Sequence, residues 1–353
     1  MVEASTRLKG VEQLIDMKQY FVIHAARQSG KTTYLKDLTE RINAGGKYYA
    51  LYCSLEAMQE ITDPEKAIPE IVRKLSYALA LSHIPQKHDF AKDADYSNFT
   101  NVLNMSLALF CMQLDKPLVI FFDEADCLSE RALITFLRQL RDGYNNRPEI
   151  PFVHSIALVG MRNIRDFKAK ARPDSQTLGS ASPFNIVTES LTLKNFTKEE
   201  IAHLYQQHTD DTGQIFEKEA IELVCQQTQG QPWLVNAIAR EVIEETLHSD
   251  YAQPVTAEMV KSAVQTIILR RDTHIDSLLE RLKEERVRKV IEPIIIGEDF
   301  FNRLSDDFQY VVDLGLITSD QGRLAPANPI YAEVIARTLT FDTQQNLTQN
   351  GSA

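Results

Sequence analysis

The segment that most restricts this chain is a short β-rich run, Tyr20 to His24, that passes straight into Ala25-Ala26-Arg27-Gln28-Ser29-Gly30-Lys31-Thr32-Thr33. A helical pattern follows from about Lys31 to Ala44, where Gly45 and Gly46 supply the expected stop. A strand, a tight turn and a helix start place a row of backbone N–H groups at the positive end of a helix, which favours an anion. The spacing follows GxxxxGK[ST], with Ala25 in the first glycine position. Gly30 allows close backbone approach, Lys31 carries a cation toward phosphate oxygens, and Thr32 offers a hydroxyl to Mg²⁺. Alanine can hold the first position unless the turn demands positive φ. Ala26, Arg27, Gln28, Ser29, Gly30, Lys31, Thr32 and Thr33 are therefore the candidate phosphate-binding residues.

A second apolar run, Leu118 to Phe122, ends in Asp123-Glu124. A run with no polar interruption is expected for a strand buried on both faces of a parallel sheet. Ligands of such sheets bind at the carboxyl ends of the strands, where these two carboxylates stand. Asp123 is expected to hold Mg²⁺ through water, and Glu124 to polarise or position an attacking water. Asp126 is expected to cap the next helix rather than to bind a ligand. Other strands are expected at Tyr48 to Cys53, Phe152 to Val159 and Ile186 to Leu193. Helical patterns are expected from Pro64, capped by Asp63, on to Leu114, and from Leu128 to Tyr144. Strands alternating with helices imply right-handed βαβ units and a doubly wound α/β sheet. Tyr20 and Phe21 could line a base pocket, and His24 is expected to be a packed strand residue.

Beyond Leu193 the alternation stops. Thr197 and Glu200 form a capping box, and helices broken by Gly213, Gly230, Pro232 and Pro254 run to about Ile296. Helical segments around Asp306 to Leu314, a short strand near Gly322 to Leu324 and a helix from Pro329 to Leu339 suggest a small winged-helix-like module. The expected domains are 1–194, a sheet core; 195–296, a helical lid; 297–340, the winged-helix-like module; and 341–353, a disordered tail. With 353 residues the chain can bury such cores without staples. Cys53, Cys111, Cys127 and Cys225 form no CxxC, so neither a disulfide framework nor a zinc site is expected. No apolar stretch approaches the roughly 20 residues of a membrane span, and the N-terminus has no secretory h-region. A soluble cytoplasmic protein is expected.

Lys31, Thr32, Asp123 and Glu124 resemble the Walker A and Walker B motifs of P-loop NTPases. The added glutamate, and the extra strand between the motifs, resemble the AAA+ and STAND branches (the ASCE type of sheet). Val159-Gly160-Met161-Arg162 is similar to the sensor strand of STAND and archaeal-type ATPases, and Gly230-Gln231-Pro232-Trp233 to their GxP motif. Over about residues 8 to 340 the chain resembles the bacterial AAA-like domain ATP-binding proteins. The resemblance implies bound ATP or ADP with Mg²⁺, Arg162 reading the γ-phosphate and Pro232 packing on adenine. It also implies hydrolysis by in-line attack of water, with Glu124, Lys31 and Arg162 as the catalytic groups.

In AAA+ assemblies a neighbouring subunit often supplies an arginine finger. Arg138 and Arg141, which share a helix face with i, i+3 spacing, could serve in a homo-oligomer; a solvated face is the plainer account of them. Residues 162 to 183 form a long connection bearing Arg165, Lys168, Lys170 and Arg172, which could touch nucleic acid or a partner. Net charge is −11, and the last 63 residues hold three basic side chains (Arg303, Arg323, Arg337) against nine acidic ones. A module that tracks phosphates should be basic, so a protein partner is favoured over DNA. The expectation is an ATP-hydrolysing switch coupled to a protein partner. The alternatives are a DNA-directed AAA+ machine, such as a loader or a replication, transposition or defence accessory, and a nucleotide-holding scaffold without turnover.

Overall fold

A computed structural model of the chain describes residues 7–350, apart from 83, 85–88, 93, 162–185, 271, 299–301 and 321–322. Arg162 and the basic connection after it lie outside the described residues. The chain divides into two compact units. One runs from the N-terminal segment to Ala25 and from Lys31 to Leu193; the other holds Lys194 onward together with the loop segment Ala26–Gly30.

The first unit is built on five parallel strands: β1 (Tyr20–His24), β2 (Tyr49–Ser54), β3 (Leu118–Asp123), β4 (Ser155–Gly160) and β5 (Val187–Thr192). Their order across the sheet is β2-β3-β4-β1-β5. Strand β4 therefore lies between the strand that feeds the glycine loop and the strand that ends in the acidic pair, as the expected topology requires. β1, β3 and β4 are buried at every position, because helices cover both faces.

The period of two in side-chain direction is visible in how one strand feeds two cores. Tyr20 and Val22 of β1, with Ile120 and Phe122 of β3, join the cluster packed under α3 (Pro64–Ala80), α4 (Val102–Cys111) and α5 (Glu130–Asn145). Phe21, Ile23, Val119 and Phe121 face the opposite way, into the cluster packed under α1 (Val11–Asp16) and α2 (Lys31–Gly45). This arrangement corrects one expectation. Tyr20 and Phe21 sit in the two cores at the amino end of β1, far along the strand from the glycine loop, and Tyr20 donates to Val153 O at 2.9 Å.

Local signals mark the helix boundaries. Asp63 accepts from Glu65 N at 3.0 Å, with Pro64 in the first turn of α3. Helix α3 ends at Ala80 and α4 begins at Val102, so the expected helical stretch from 64 to 114 is two helices and an intervening segment. Ser129, not Asp126, caps α5, accepting from Ala132 N.

The second unit is helical: α6 (Lys198–Thr212), α7 (Lys218–Thr228), α8 (Pro232–Arg240), α9 (Ala257–Arg270), α10 (Thr273–Leu282), α11 (Glu285–Ile295), α12 (Asp306–Asp313) and α13 (Pro329–Asn350). Thr197 and Glu200 make both bonds of the capping box that starts α6. An antiparallel hairpin, β6 (Ile317–Asp320) with β7 (Arg323–Pro326), stands between α12 and α13. Ile201, Val235 and Ile267 share one buried cluster with Val311, Leu324 and Ile335. The segment expected as a lid and the small module after it therefore have a common core. Helix α13 continues to Asn350, past the Leu339 end expected and through most of residues 341–353, which were expected to be disordered.

Packing between helix and sheet is tight where α5 meets the entry to β4. A Cβ built on Gly143 would overlap the Phe152 ring. Overpacked sites of this kind cost about 1–3 kcal/mol. Gly143→Ala should lower the stability of the chain by that amount, measured as the shift of its urea unfolding midpoint; an unchanged midpoint would mean that Phe152 moves aside freely.

Candidate functional site

The loop from Ala25 to Gly30 needs backbone conformations that ordinary residues avoid. Gln28 has φ 55° and Gly30 φ 88°. Glycine is at home there, whereas Gln28 carries about 1 kcal/mol of strain or more. The first position of the motif is not among the positive-φ residues, which explains why Ala25 can replace glycine. Lys31 is buried at the start of α2, and its ammonium donates to Ala25 O at 2.9 Å. Thr33 stands exposed next to Thr32.

Asp123 ends β3 with only 1% of its surface exposed. A buried carboxylate needs donors, and three converge on it. Thr32 Oγ1 donates to Oδ2 at 2.7 Å, Tyr52 OH donates to the same oxygen at 2.9 Å, and Glu124 N donates to Oδ1 at 3.0 Å. The hydroxyl and the carboxylate that the sequence assigns to Mg²⁺ are therefore in direct contact across 91 residues of chain. No sequence motif marks Tyr52. Its signal is the strand register, which sets Ser54 of β2 beside Asp123 and so puts Tyr52, two positions earlier, on the same face. Burial and the neighbouring carboxylate push the Tyr52 phenol far above its usual range, so it is a donor and not an anion.

Glu124 follows in a left-handed conformation, φ 55° and ψ 38°, which turns its side chain out of the strand direction. Burial, then repulsion from Asp126, raises its carboxyl pKa above the ordinary value, against the pull of Lys31. Asp126 has a different task from the capping expected of it. Its Oδ2 accepts from Met161 N at 3.0 Å, tying the end of β4 to the turn after β3. Its Oδ1 is buried without a hydrogen bond among the described residues. A Cβ on Gly160 would collide with that carboxylate, so the Gly of the Gly-x-Arg segment is a packing requirement. Arg162, two residues beyond, lies outside the described residues.

His24 is held between strands, with Ser190 Oγ 3.1 Å from Nδ1 and Thr192 Oγ1 3.0 Å from Nε2, in keeping with a packed role. Arg138 is exposed on α5 and Arg141 half-buried. Neither is brought to Asp123 by any hydrogen bond or ion pair shown.

In the second unit, Pro232 opens α8 and is buried, with Gln231 Oε1 accepting from Leu234 N at 2.7 Å. Gly230, at φ 75°, lies against the Phe196 carbonyl, where a Cβ would overlap it. Trp233 packs on the core of this unit and stacks on His274, centroids 4.8 Å apart. His274 joins Gln28 of the glycine loop to the C-terminal helix. Its Nδ1 is 2.5 Å from Gln28 Oε1 and its Nε2 is 2.5 Å from Tyr331 OH. Burial pushes its pKa down to about 4, so the ring is neutral. With Oε1 as the acceptor, Nδ1–H donates to Gln28 and Nε2 accepts from Tyr331. A lone His in a helical segment gave no sequence signal for this role.

Among the described residues no group of three or more His, Cys, Asp or Glu side chains could hold a metal by itself. Thr32 and Asp123 offer instead two hard oxygens, a donor set that suits Mg²⁺ completed by waters and phosphate oxygens.

A parallel sheet in the order β2-β3-β4-β1-β5, with this loop after β1 and an Asp-Glu pair at the end of β3, defines a P-loop NTPase of AAA+ type. The family model for the AAA-like domain matches residues 8–337, and the chain belongs to that family. The structure is similar to a Walker-type ATPase of Pyrococcus abyssi at 14% identity and a TM-score of 0.65, covering 95% of this chain and 96% of that one. It also matches the ORC2 protein of Aeropyrum pernix (15% identity, TM-score 0.49, 97% and 93% covered). A third match is the RuvB Holliday junction branch migration motor of Thermotoga maritima (13%, 0.45, 94% and 92%). No curated protein matches.

The Glu124 carboxyl should titrate above the usual glutamate value in an NMR pH titration. Asp126→Asn removes a neighbouring negative charge and should move that midpoint down. A midpoint unmoved by Asp126→Asn would leave burial as the sole cause.

Proposed function

We propose that the chain binds Mg·ATP on the Ala25–Thr32 loop and hydrolyses it, as a switch that couples nucleotide state to a protein partner. The observation that carries this reading is the Thr32–Asp123 hydrogen bond of 2.7 Å, with Glu124 adjacent. It supports a single centre made of the helix that follows the loop and the end of β3. In this reading the backbone N–H groups of Ala26 to Gly30 and the Lys31 ammonium receive the phosphates, and Thr32 and Asp123 hold Mg²⁺. When bound, the ion neutralises charge on the phosphates. Glu124 orients a water for in-line attack on the γ-phosphate and draws on its proton. A carboxylate made more basic by burial suits that task better than an ordinary one. Arg162 contributes charge at the γ-phosphate and Pro232 an apolar face to adenine, both on the resemblance alone. Arg138, exposed on α5, and Arg141 are the candidates for an arginine finger within a homo-oligomer.

The switch part of the reading is supported by Gln28. A phosphate-binding loop whose own side chain is bonded through His274 to Tyr331 on the C-terminal helix cannot rearrange without disturbing that helix. A ligand that favours one arrangement of the loop then biases the other by its difference in affinity. We read α12, the β6–β7 hairpin and α13 as a winged-helix-like element. Its acidity points to a protein partner rather than DNA, in a cytoplasmic setting.

Lys31→Ala should weaken ATP binding about a hundredfold, or roughly 2.7 kcal/mol, as measured by calorimetry. Glu124→Gln should bind ATP normally while phosphate release falls by a factor of 10² or more, as expected when a water-activating group is lost (about 10²–10⁴). Phosphate release by Glu124→Gln at the wild-type rate would remove Glu124 from the chemistry. Turnover stimulated by DNA would favour the DNA-directed alternative.

A further inference from the structure

The amino edge of the sheet, at the end of the strands opposite the glycine loop, carries a cleft that the nucleotide reading does not use. Lys18 stands just before β1, His154 just before β4, and Arg147 just after α5. With Tyr144, Pro151 and Phe152 they line an open cavity of about 570 Å³. Pro151 and Phe152 also line a neighbouring groove of about 250 Å³ beside Met105, Met112 and Ile150. The two spaces therefore adjoin at Pro151 and Phe152, and together they are of the size of small-molecule sites.

The basic lobe is built rather than incidental. Arg147 Nε donates to Tyr144 O at 3.3 Å, and Nη1 donates to Lys18 O at 3.1 Å and His154 O at 3.0 Å. The guanidinium also lies 3.9 Å from the centre of the Tyr144 ring. Three carbonyls and a ring fix its orientation before any ligand arrives, and preorganised cations bind with less entropy loss. Its Nη2 has no acceptor among the described residues.

The Lys18 ammonium likewise has neither a hydrogen bond nor an ion pair among the described residues. The nearby Asp16 accepts from Lys47 Nζ at 2.7 Å and from Tyr48 OH at 2.6 Å, both on Oδ1. His154 is not a third charge: burial lowers its pKa, and its Nε2 lies 3.0 Å from Ile15 O, which leaves Nδ1 as a bare acceptor. Among the described residues no carboxylate lines this lobe.

The second lobe is apolar and open. Met105, Met112 and Ile150 are 47%, 59% and 46% exposed, so apolar surface is available to a ligand there. Its one carboxylate is Glu149, which is exposed. One oriented guanidinium and one exposed ammonium thus stand beside a groove that is mainly apolar.

We propose that this cleft binds a small organic acid, its anionic group between Lys18 and Arg147 and its apolar body against Met105, Met112 and Ile150. The site is separate from the glycine loop, and its ligand is not the nucleotide.

The full chain can be titrated with 4-phenylbutyrate and with the neutral 4-phenylbutanamide, by calorimetry and ligand-observed NMR, in saturating Mg·ADP. The acid should bind at least about fivefold more tightly than the amide. Lys18→Met, an exposed change, should bring the acid to the level of the amide without moving the melting temperature. Met112→Glu should weaken both probes. The proposal fails if acid and amide bind alike, if Lys18→Met leaves the preference intact, if raising Mg·ADP displaces the acid, or if no binding is seen at about 10 mM.

Discussion

Much of this structure is organised by the need to keep one buried carboxylate satisfied. Asp123 stands at the end of a fully buried strand, and leaving it without donors would cost several kcal/mol. Its donors come from three directions in the sequence: Thr32 at the start of α2, Tyr52 on β2 and the backbone of Glu124. Meeting that need fixes how α2 starts relative to β3. It also sets the register of β2 against β3, since Ser54 pairs with Asp123. The conformation of Glu124 follows from the same knot, because its N–H is turned toward Asp123 while its side chain is turned away.

A second carboxylate extends this organisation by one strand. Asp126 grips the backbone of Met161, so the end of β4 is tied to the turn that carries Glu124. Gly160 is the residue that lets the two surfaces meet. The chemistry assigned to Glu124 thus has a rigid base, and the acidity of Glu124 is tuned by the same side chain that supplies the tie.

Most of the sheet could be read from the sequence because strands buried on both faces leave an unbroken apolar signature, as in Leu118–Phe122. The glycine loop and the acidic pair could be read because their residue types are rare in combination. What could not be read has a common cause: it depends on partners distant in sequence. Tyr20 looked like a candidate for a ligand pocket because it borders the loop in sequence, yet a strand of five residues puts it at the far edge of the sheet. Asp126 looked like a helix cap because it precedes a helix, but Ser129 is better placed and Asp126 is claimed by Met161. The shared core of the helical unit was hidden because helical periodicity shows that a face is buried and not what it is buried against. The Gln28–His274–Tyr331 connection was hidden for the same reason.

That connection has one further consequence. With a pKa near 4, the imidazole of His274 carries no charge across the whole range in which a cell lives. The link between loop and C-terminal helix is therefore blind to acidity and answers only to geometry. With Gln28 Oε1 facing the ring the bonds run from Tyr331 to the ring to Gln28, and a turned Gln28 amide would be met by the other tautomer of the ring with both bonds reversed. In the proposed switch, a message passed along it is written in the position of one glutamine side chain, and moving that side chain corrupts it without altering any charge in the molecule.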